Sequence, residues 1–212
     1  MSKIELNMYR ASHDTIYDIH QALWKVYSDY DDRKRDFIYR QIGPSSFLTV
    51  SHREPHSLQY IASLHTKEYT PVLQEGQKVH FALRFNPVVK RRDTNGKQVR
   101  IDIVQDERKR RLCEGVLQAD LPQRTEIAMD VAPKWLSSHI PSLDIDASSL
   151  VVEAYRLEKF RKKKGDSLLT IASMDVQGTA FVRDVATLEK ALYNGVGCAK
   201  GFGLGLLLLR KG

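Results

Sequence analysis

Cysteine is scarce in this chain: Cys113 and Cys198 are the only two among 212 residues, far apart and in no metal-ligand spacing. A disulfide framework and a cysteine-based zinc site are therefore poor organising principles, and the usage fits a reducing compartment. Long apolar runs are also missing. Met1-Ser-Lys-Ile-Glu-Leu6 has no signal core, and Leu206 to Leu209 is far too short to span a bilayer. A cytoplasmic chain with no membrane partner is expected. No P-loop, no GxSxG turn and no Cys–His nucleophile pattern occurs. Acidic charge is the minority sign: 33 Lys and Arg against 26 Asp and Glu leave a net charge of +7. That balance favours an anionic partner, a nucleic acid or a membrane surface.

Metal-ligand patterns are thin too. Asp29/Asp31 and Asp144/Asp146 have D-x-D spacing, but both pairs fall in stretches that read as turns and caps. His52 and His56 straddle Pro55, which breaks the helical geometry that would bring them together. His13, His65, His80 and His139 are scattered and read as structural or surface residues. No metal and no cofactor is expected.

What the chain does have is a glycine-rich end. Gly195-Val-Gly-Cys-Ala-Lys-Gly-Phe-Gly-Leu-Gly205 places five glycines and one lysine in eleven residues, ahead of four leucines that read as a buried strand. Such a loop brings backbone N–H groups close to a bulky anion, and on a basic chain it points to a phosphate backbone.

Upstream, residues 3–10 read as a strand. A helix capped by Ser12 or Asp14 follows, with Ile16, Ile19, Leu23 and Val26 at helical spacing. Asp29 to Arg35 reads as a turn. Short strands are expected at 37–40, 47–51, 60–66 and 79–85. Asn95-Gly96 marks a hairpin turn, Gln105 to Arg111 an exposed helix or linker, and Thr125 to Ser138 a helix. Leu150 to Phe160 and Leu168 to Met174 form a second hairpin; Val176 to Val182 continues it or adds a strand. Asp184 caps a last helix that stops at Gly195. Each half thus reads as β-α-β-β-α-β. The expected fold is α+β, two tandem ferredoxin-like units spanning 1–110 and 111–212.

On the first helix, Tyr17, His20 and Trp24 fall on the flank of the apolar stripe. A histidine at that border is partly desolvated yet reachable, which suits a group that moves a proton near neutral pH. The competing reading is that His20 and Trp24 merely roof the core. RNA carries its own nucleophile, the 2′-hydroxyl, so one or two proton carriers plus a cationic, N–H-rich loop suffice to cleave it. Two basic hairpins would hold such a substrate: Lys90, Arg91, Arg92, Lys97 and Arg100 in the first half, and Arg156, Lys159, Arg161, Lys162, Lys163 and Lys164 in the second.

Three blocks carry a family resemblance. Asp14-Thr-Ile-Tyr-Asp-Ile-His-Gln-Ala-Leu-Trp24 with Arg35-Asp-Phe-Ile-Tyr39, then Phe81-Ala-Leu-Arg-Phe-Asn-Pro87, then the glycine-rich loop, resemble in order the motifs of the CasE family, CRISPR-associated endoribonucleases of type I-E systems. The chain departs from the pattern after Trp24, where relatives often carry Phe-Pro and this sequence reads Lys25-Val-Tyr27. Residues 105–150 match none of the motifs. The resemblance implies metal-independent cleavage of precursor CRISPR RNA at the base of the repeat stem-loop. The 2′-hydroxyl attacks, leaving a 5′-hydroxyl and a 2′,3′-cyclic or 3′-phosphate, and the enzyme stays on the hairpin as a subunit of the surveillance complex in a prokaryotic cytoplasm. It implies His20 as catalytic histidine with Tyr17 as partner. Lys200, with Gly197, Gly201 and Gly203, would contact RNA, and the Arg156 to Lys164 hairpin would lie on the stem. A non-catalytic RNA-binding subunit and a metabolic enzyme with a phosphate-binding terminal loop are the alternatives.

Overall fold

The computed structural model describes residues 1–7, 15–28, 35–162 and 165–212. Ser12, His13, Asp14, Asp29, Asp31, Lys163 and Lys164, each given a role or reading above, lie outside the described residues.

The first unit contains β1 (Ser2–Leu6), α1 (Ile16–Tyr27), β2 (Phe37–Gln41), β3 (Ser46–Ser51) and β4 (Ile61–Thr66). Its antiparallel sheet runs β2-β3-β1-β4, the order of a ferredoxin-like unit, with the irregular segment 52–60 where a second helix would stand. Helix α1 begins at a reciprocal cap: Thr15 Oγ1 accepts from Asp18 N at 3.2 Å, and Asp18 Oδ2 accepts from Thr15 N at 3.0 Å. The cap is thus Thr15, not Ser12 or Asp14. Leu23, Val26 and Tyr27 then close over Ile4, Phe37, Tyr39 and Phe47 in the first core.

The second unit contains β5 (Lys78–Phe85), β6 (Val88–Arg92), β7 (Gln98–Asp102), α2 (Ile103–Cys113), α3 (Arg124–His139), β8 (Leu143–Ile145), β9 (Val151–Phe160), β10 (Leu169–Val182), α4 (Val185–Asn194) and β11 (Leu207–Lys211). Strands β11, β5 and β10 lie side by side, with β8 and β9 both pairing on the far edge of β10. The two expected pieces of β10 are one 14-residue strand. In β5, Val79, Phe81, Leu83 and Phe85 alternate into a core completed by Ile127, Leu136, Met174, Leu188 and Leu207.

The sheets divide at segment 67–77, not near residue 110. Strand β5 was expected in the N-terminal unit but pairs with β10 and β11. The polar run after residue 104 looked like a linker because its hydrophobic signal is confined to its first turn. There Ile103 and Val104 are buried, and Asp102 caps the helix through Val104 N and Gln105 N. The hairpin β6–β7 and α2 are therefore an insertion within the second unit.

The two sheets meet along an apolar seam. In β2, Phe37 and Tyr39 point into the first core, whereas Ile38 packs with Val50 and Leu206, flanked by Leu208, Tyr69 and Tyr193. No helix among the described residues is long and apolar enough to cross a membrane.

Candidate active site and nucleic-acid interface

The glycine-rich loop is fixed at both ends. Gly195 ends α4 at φ 73°, its N–H donating to Ala191 O at 2.8 Å. Val196 N donates to Gly205 O at 2.8 Å, and Gly205 N to Arg84 O on β5 at 2.7 Å. A Cβ on Gly205 would stand 2.4 Å from Val196 O, so no other residue closes the loop there. Between these ends a single 3-10 turn, Lys200 to Phe202, lies against α1. A Cβ on Gly201 would come 2.9 Å from Arg35 Nη1 and 3.3 Å from His20 Cε1, and Tyr39 Oη donates to Gly201 O at 3.0 Å. The opening helix and the terminal loop, 180 residues apart in sequence, share one cleft.

His20 sits half-buried in that cleft, and its Nδ1 is buried without a hydrogen-bond partner. Burial lowers the imidazole below its ordinary value, the Gly201 backbone opposes this, and the cations Arg35 and Lys162 lower it further. These influences together disfavour the charged ring. Around it runs an aromatic chain from three elements. Tyr17 lies 6.1 Å from His20 and stacks on Phe160, at the end of β9, at 6.5 Å and 11°. Phe160 meets Phe202 of the loop at 5.3 Å, and Phe202 meets His20 at 5.4 Å. Trp24 closes the other side at 6.1 Å. His20 thus lies among aromatic rings of α1, β9 and the loop, at the edge of the first core.

Phe160 anchors the basic hairpin to α1, close enough for the charge of Lys162 to act on the histidine. Lys159 stands exposed on β9 opposite Thr170, and Arg161 Nε donates to Asp166 O at 3.1 Å across the turn. Arg156 donates from Nη1 to the buried Asp175 at 2.7 Å. Lys200 Nζ donates to Asn194 O at 2.8 Å, folding the lysine back over its own loop. Gly203 fits against the Tyr39 ring, and Gly197 fits against Trp135 of α3, away from His20. Lys90, Arg91 and Arg92 stand exposed on β6. Arg91 pairs with Asp106 of α2 at 2.5 Å and Arg92 donates to Gly96 O at 3.2 Å. The cavity beside Phe202 and Cys198 takes Val88 and Arg100 from this hairpin but none of those three.

Of the scattered polar residues, Asp146 caps a turn through Ser148 N at 3.0 Å, His139 stacks on Trp135 at 3.8 Å, and Asp144 pairs with Arg183 at 3.2 Å. Among the described residues no three His, Cys, Asp or Glu side chains converge as a metal site would require. Sequence reasoning passed over Arg35, quoted only as part of a motif, and Asp175, which nothing in the linear pattern distinguishes from a surface aspartate. The signal for Arg35 was its place just before β2, the strand that carries Tyr39.

Comparison with known proteins gives the same architecture. A family model described as "CRISPR associated protein" matches residues 1–211. The Cascade subunit CasE of Escherichia coli K12 is 25% identical over 207 residues, 94% of each chain. A structure of CRISPR endoribonuclease Cse3 bound to a 19-nucleotide RNA superposes with a TM-score of 0.70 at 22% identity, covering 99% of this chain and 96% of that one. A chain of a CRISPR RNA-guided surveillance complex superposes at 0.65 and 15% identity, covering both chains in full.

Proposed function

The chain belongs to the family of CRISPR-associated proteins, and as one of its CasE-like members we propose that it is an endoribonuclease that cuts precursor CRISPR RNA at the base of the repeat stem-loop. The observation that carries this reading is a half-buried His20 beside the Gly201 backbone and Arg35, in a cleft where Lys162 also acts on it electrostatically. That is the equipment an RNA needs to attack itself.

In the proposed reaction His20 takes the 2′-hydroxyl proton. The 2′-oxygen bonds to phosphorus, the P–O5′ bond breaks and O5′ takes a proton from water, leaving a 2′,3′-cyclic phosphate and a 5′-hydroxyl, while His20 returns its proton to solvent. Arg35 and Lys162 offset the added charge on the pentacoordinate phosphorus. Tyr17, held flat on Phe160, fixes one side of the imidazole. Proton transfer by a positioned group supplies roughly 10²–10⁴-fold, and in-line positioning supplies much of the rest. The donor set supports independence from metal, since the described acidic and histidine side chains are dispersed or committed to caps and ion pairs. After cleavage the β9–β10 hairpin holds the stem, and the protein remains on it as a surveillance-complex subunit, the setting in which the CasE relative and the surveillance-complex chain are named.

Incubation with the repeat RNA from the same genome, with and without EDTA, tests the reading. A single 5′-hydroxyl product in both conditions is expected. Loss of cleavage in EDTA overturns the metal-independent mechanism, and binding without any cleavage favours a non-catalytic RNA-binding subunit.

A further inference from the structure

Next to the histidine, the facing sheets enclose a second space of about 320 Å³. Ile16, Ile19 and Phe202 form one wall; Arg84 of β5 and Arg156 of β9 form the other, with Glu158 at the rim of β9. Behind the arginines lies Asp175, 3% exposed. This single carboxylate accepts from Arg84 Nε at 2.7 Å, from Arg156 Nη1 at 2.7 Å and, across the seam, from Arg40 Nη2 at 3.4 Å.

Three guanidinium groups on one carboxylate are more donors than it can satisfy. Each arginine carries five N–H groups, and Asp175 engages one nitrogen of each. Arg84 Nη1 has only a long contact to Gln41 O at 3.5 Å, and Arg40 Nη1 is buried with no partner. The Arg156 side chain is 52% exposed, so its remaining face is open to a ligand. Burial alone would raise the Asp175 carboxyl, but Arg84, Arg156 and Arg40 outweigh it and hold the group charged. Removing a charge from a buried set like this is costly, which keeps both arginines aimed in fixed directions. Glu158 faces the same space and Glu153 acts on Arg40, so the positive character is concentrated at the Arg84–Arg156 wall rather than spread evenly.

We propose that this cavity is a phosphodiester subsite for the RNA strand leading to the scissile bond, with Arg84 and Arg156 as its donors and Asp175 as the positioning residue that aims them. The inference rests on the RNA-cleaving reading and adds a second fixed phosphate to it. Two phosphates held on either side of Phe202 leave the intervening ribose little freedom to rotate, which is how an in-line geometry is imposed.

The test is a methylphosphonate scan of the repeat RNA, neutralising one phosphate at a time, in the parent protein and in Arg84→Gln. One position is expected to cost the parent about tenfold in affinity, as a charge-assisted hydrogen bond does, and to cost Arg84→Gln distinctly less, only the Arg156 contact remaining there. The salt slope of log K against log salt should fall by about one contact in Arg84→Gln. Asp175→Asn should raise KM and lower kcat, because the donors it aims also position the ribose, and should blunt the response at the same position. Glu158→Gln, which removes a competing anion from the rim and does not disturb the buried cluster, should tighten binding several-fold. If Arg84→Gln fails to fold, Arg156→Gln and Glu158→Gln carry the test. A scan that is flat in the parent, or equal in parent and variants, overturns the subsite, as does unchanged affinity in Glu158→Gln. In those cases cleavage by the parent leaves the broader reading standing, whereas a parent that binds no repeat RNA removes both.

Discussion

The two basic hairpins look alike in sequence and stand in different physical situations. Both present a run of lysine and arginine around a tight turn. On both, part of the charge is met by the protein itself: on β6–β7 Arg91 pairs with Asp106 and Arg92 donates back to its own turn, and on β9–β10 Arg156 pairs with Asp175 and Arg161 donates across its turn. On β9–β10 the apolar Phe160 docks the strand end against Tyr17 and Phe202, so that the cation two residues later acts on His20. A charge becomes chemically useful when an uncharged neighbour fixes where it points. The two hairpins differ by that one aromatic anchor more than by their charge.

The sharpest way to break this comparison is at the histidine. His20→Ala should lower cleavage by about 10²–10⁴-fold in single-turnover assays while leaving hairpin affinity within a few-fold, because the ring contributes a proton site rather than a phosphate contact. Full-rate cleavage by that variant would falsify the assignment. Next comes the hairpin contrast. Lys162→Ala should slow cleavage by about tenfold or more, as loss of one charge-stabilising donor does. Arg91→Gln, already neutralised by Asp106, should change rate and affinity by less than about twofold, the scale of an exposed ion pair. Equal losses for the two would mean that the charge count, not the anchor, sets the contribution.

Gly201→Ala probes the anchor from the loop side. Its Cβ would meet Arg35 Nη1 at 2.9 Å and His20 Cε1 at 3.3 Å. The guanidinium is the flexible partner and gives way first, so the expected result is a rate loss of about tenfold from misplacement with little change in thermal unfolding. A large loss of stability instead would mark the glycine as structural.

Much of this arrangement could be read from the chain alone, and the parts that could not have a physical reason. The helical stripe of α1 and the alternation in β5 are local periodicities, so the elements and the flanking position of His20 were legible. The approach of Gly201 to that ring was legible only as a resemblance, because it depends on a contact between residues 180 positions apart. The division of the sheets was misread, since β5 carries the same alternation whichever sheet it joins. Asp175 was invisible for the same reason: its partners Arg40, Arg84 and Arg156 come from three strands and converge only after both sheets have formed.

The smallest expected effect is a displacement along the pH axis, and its sign is the same for both cations that act on His20. Burial comes first in lowering this imidazole, and Arg35 and Lys162 add to it, while the Gly201 backbone opposes them. For a general base the acid limb of kcat/KM reports protonation of the free enzyme, so its midpoint should fall below the ordinary histidine value of about 6.5. Arg35→Gln removes a cation that repels the incoming proton, so the midpoint should move upward; the plateau falls as well, because Arg35 offsets charge on the phosphorus, and the shift is read from profiles normalised to each plateau. The same depression makes His20 a stability group of the opposite sign to a salt-bridged histidine. The folded form resists protonation, so its contribution is intact above the unfolded value and is lost as pH falls from there through the lower folded value. Thermal unfolding of the parent should therefore decline on acidification through that window more steeply than that of His20→Ala, with the β6–β7 hairpin variants tracking the parent throughout.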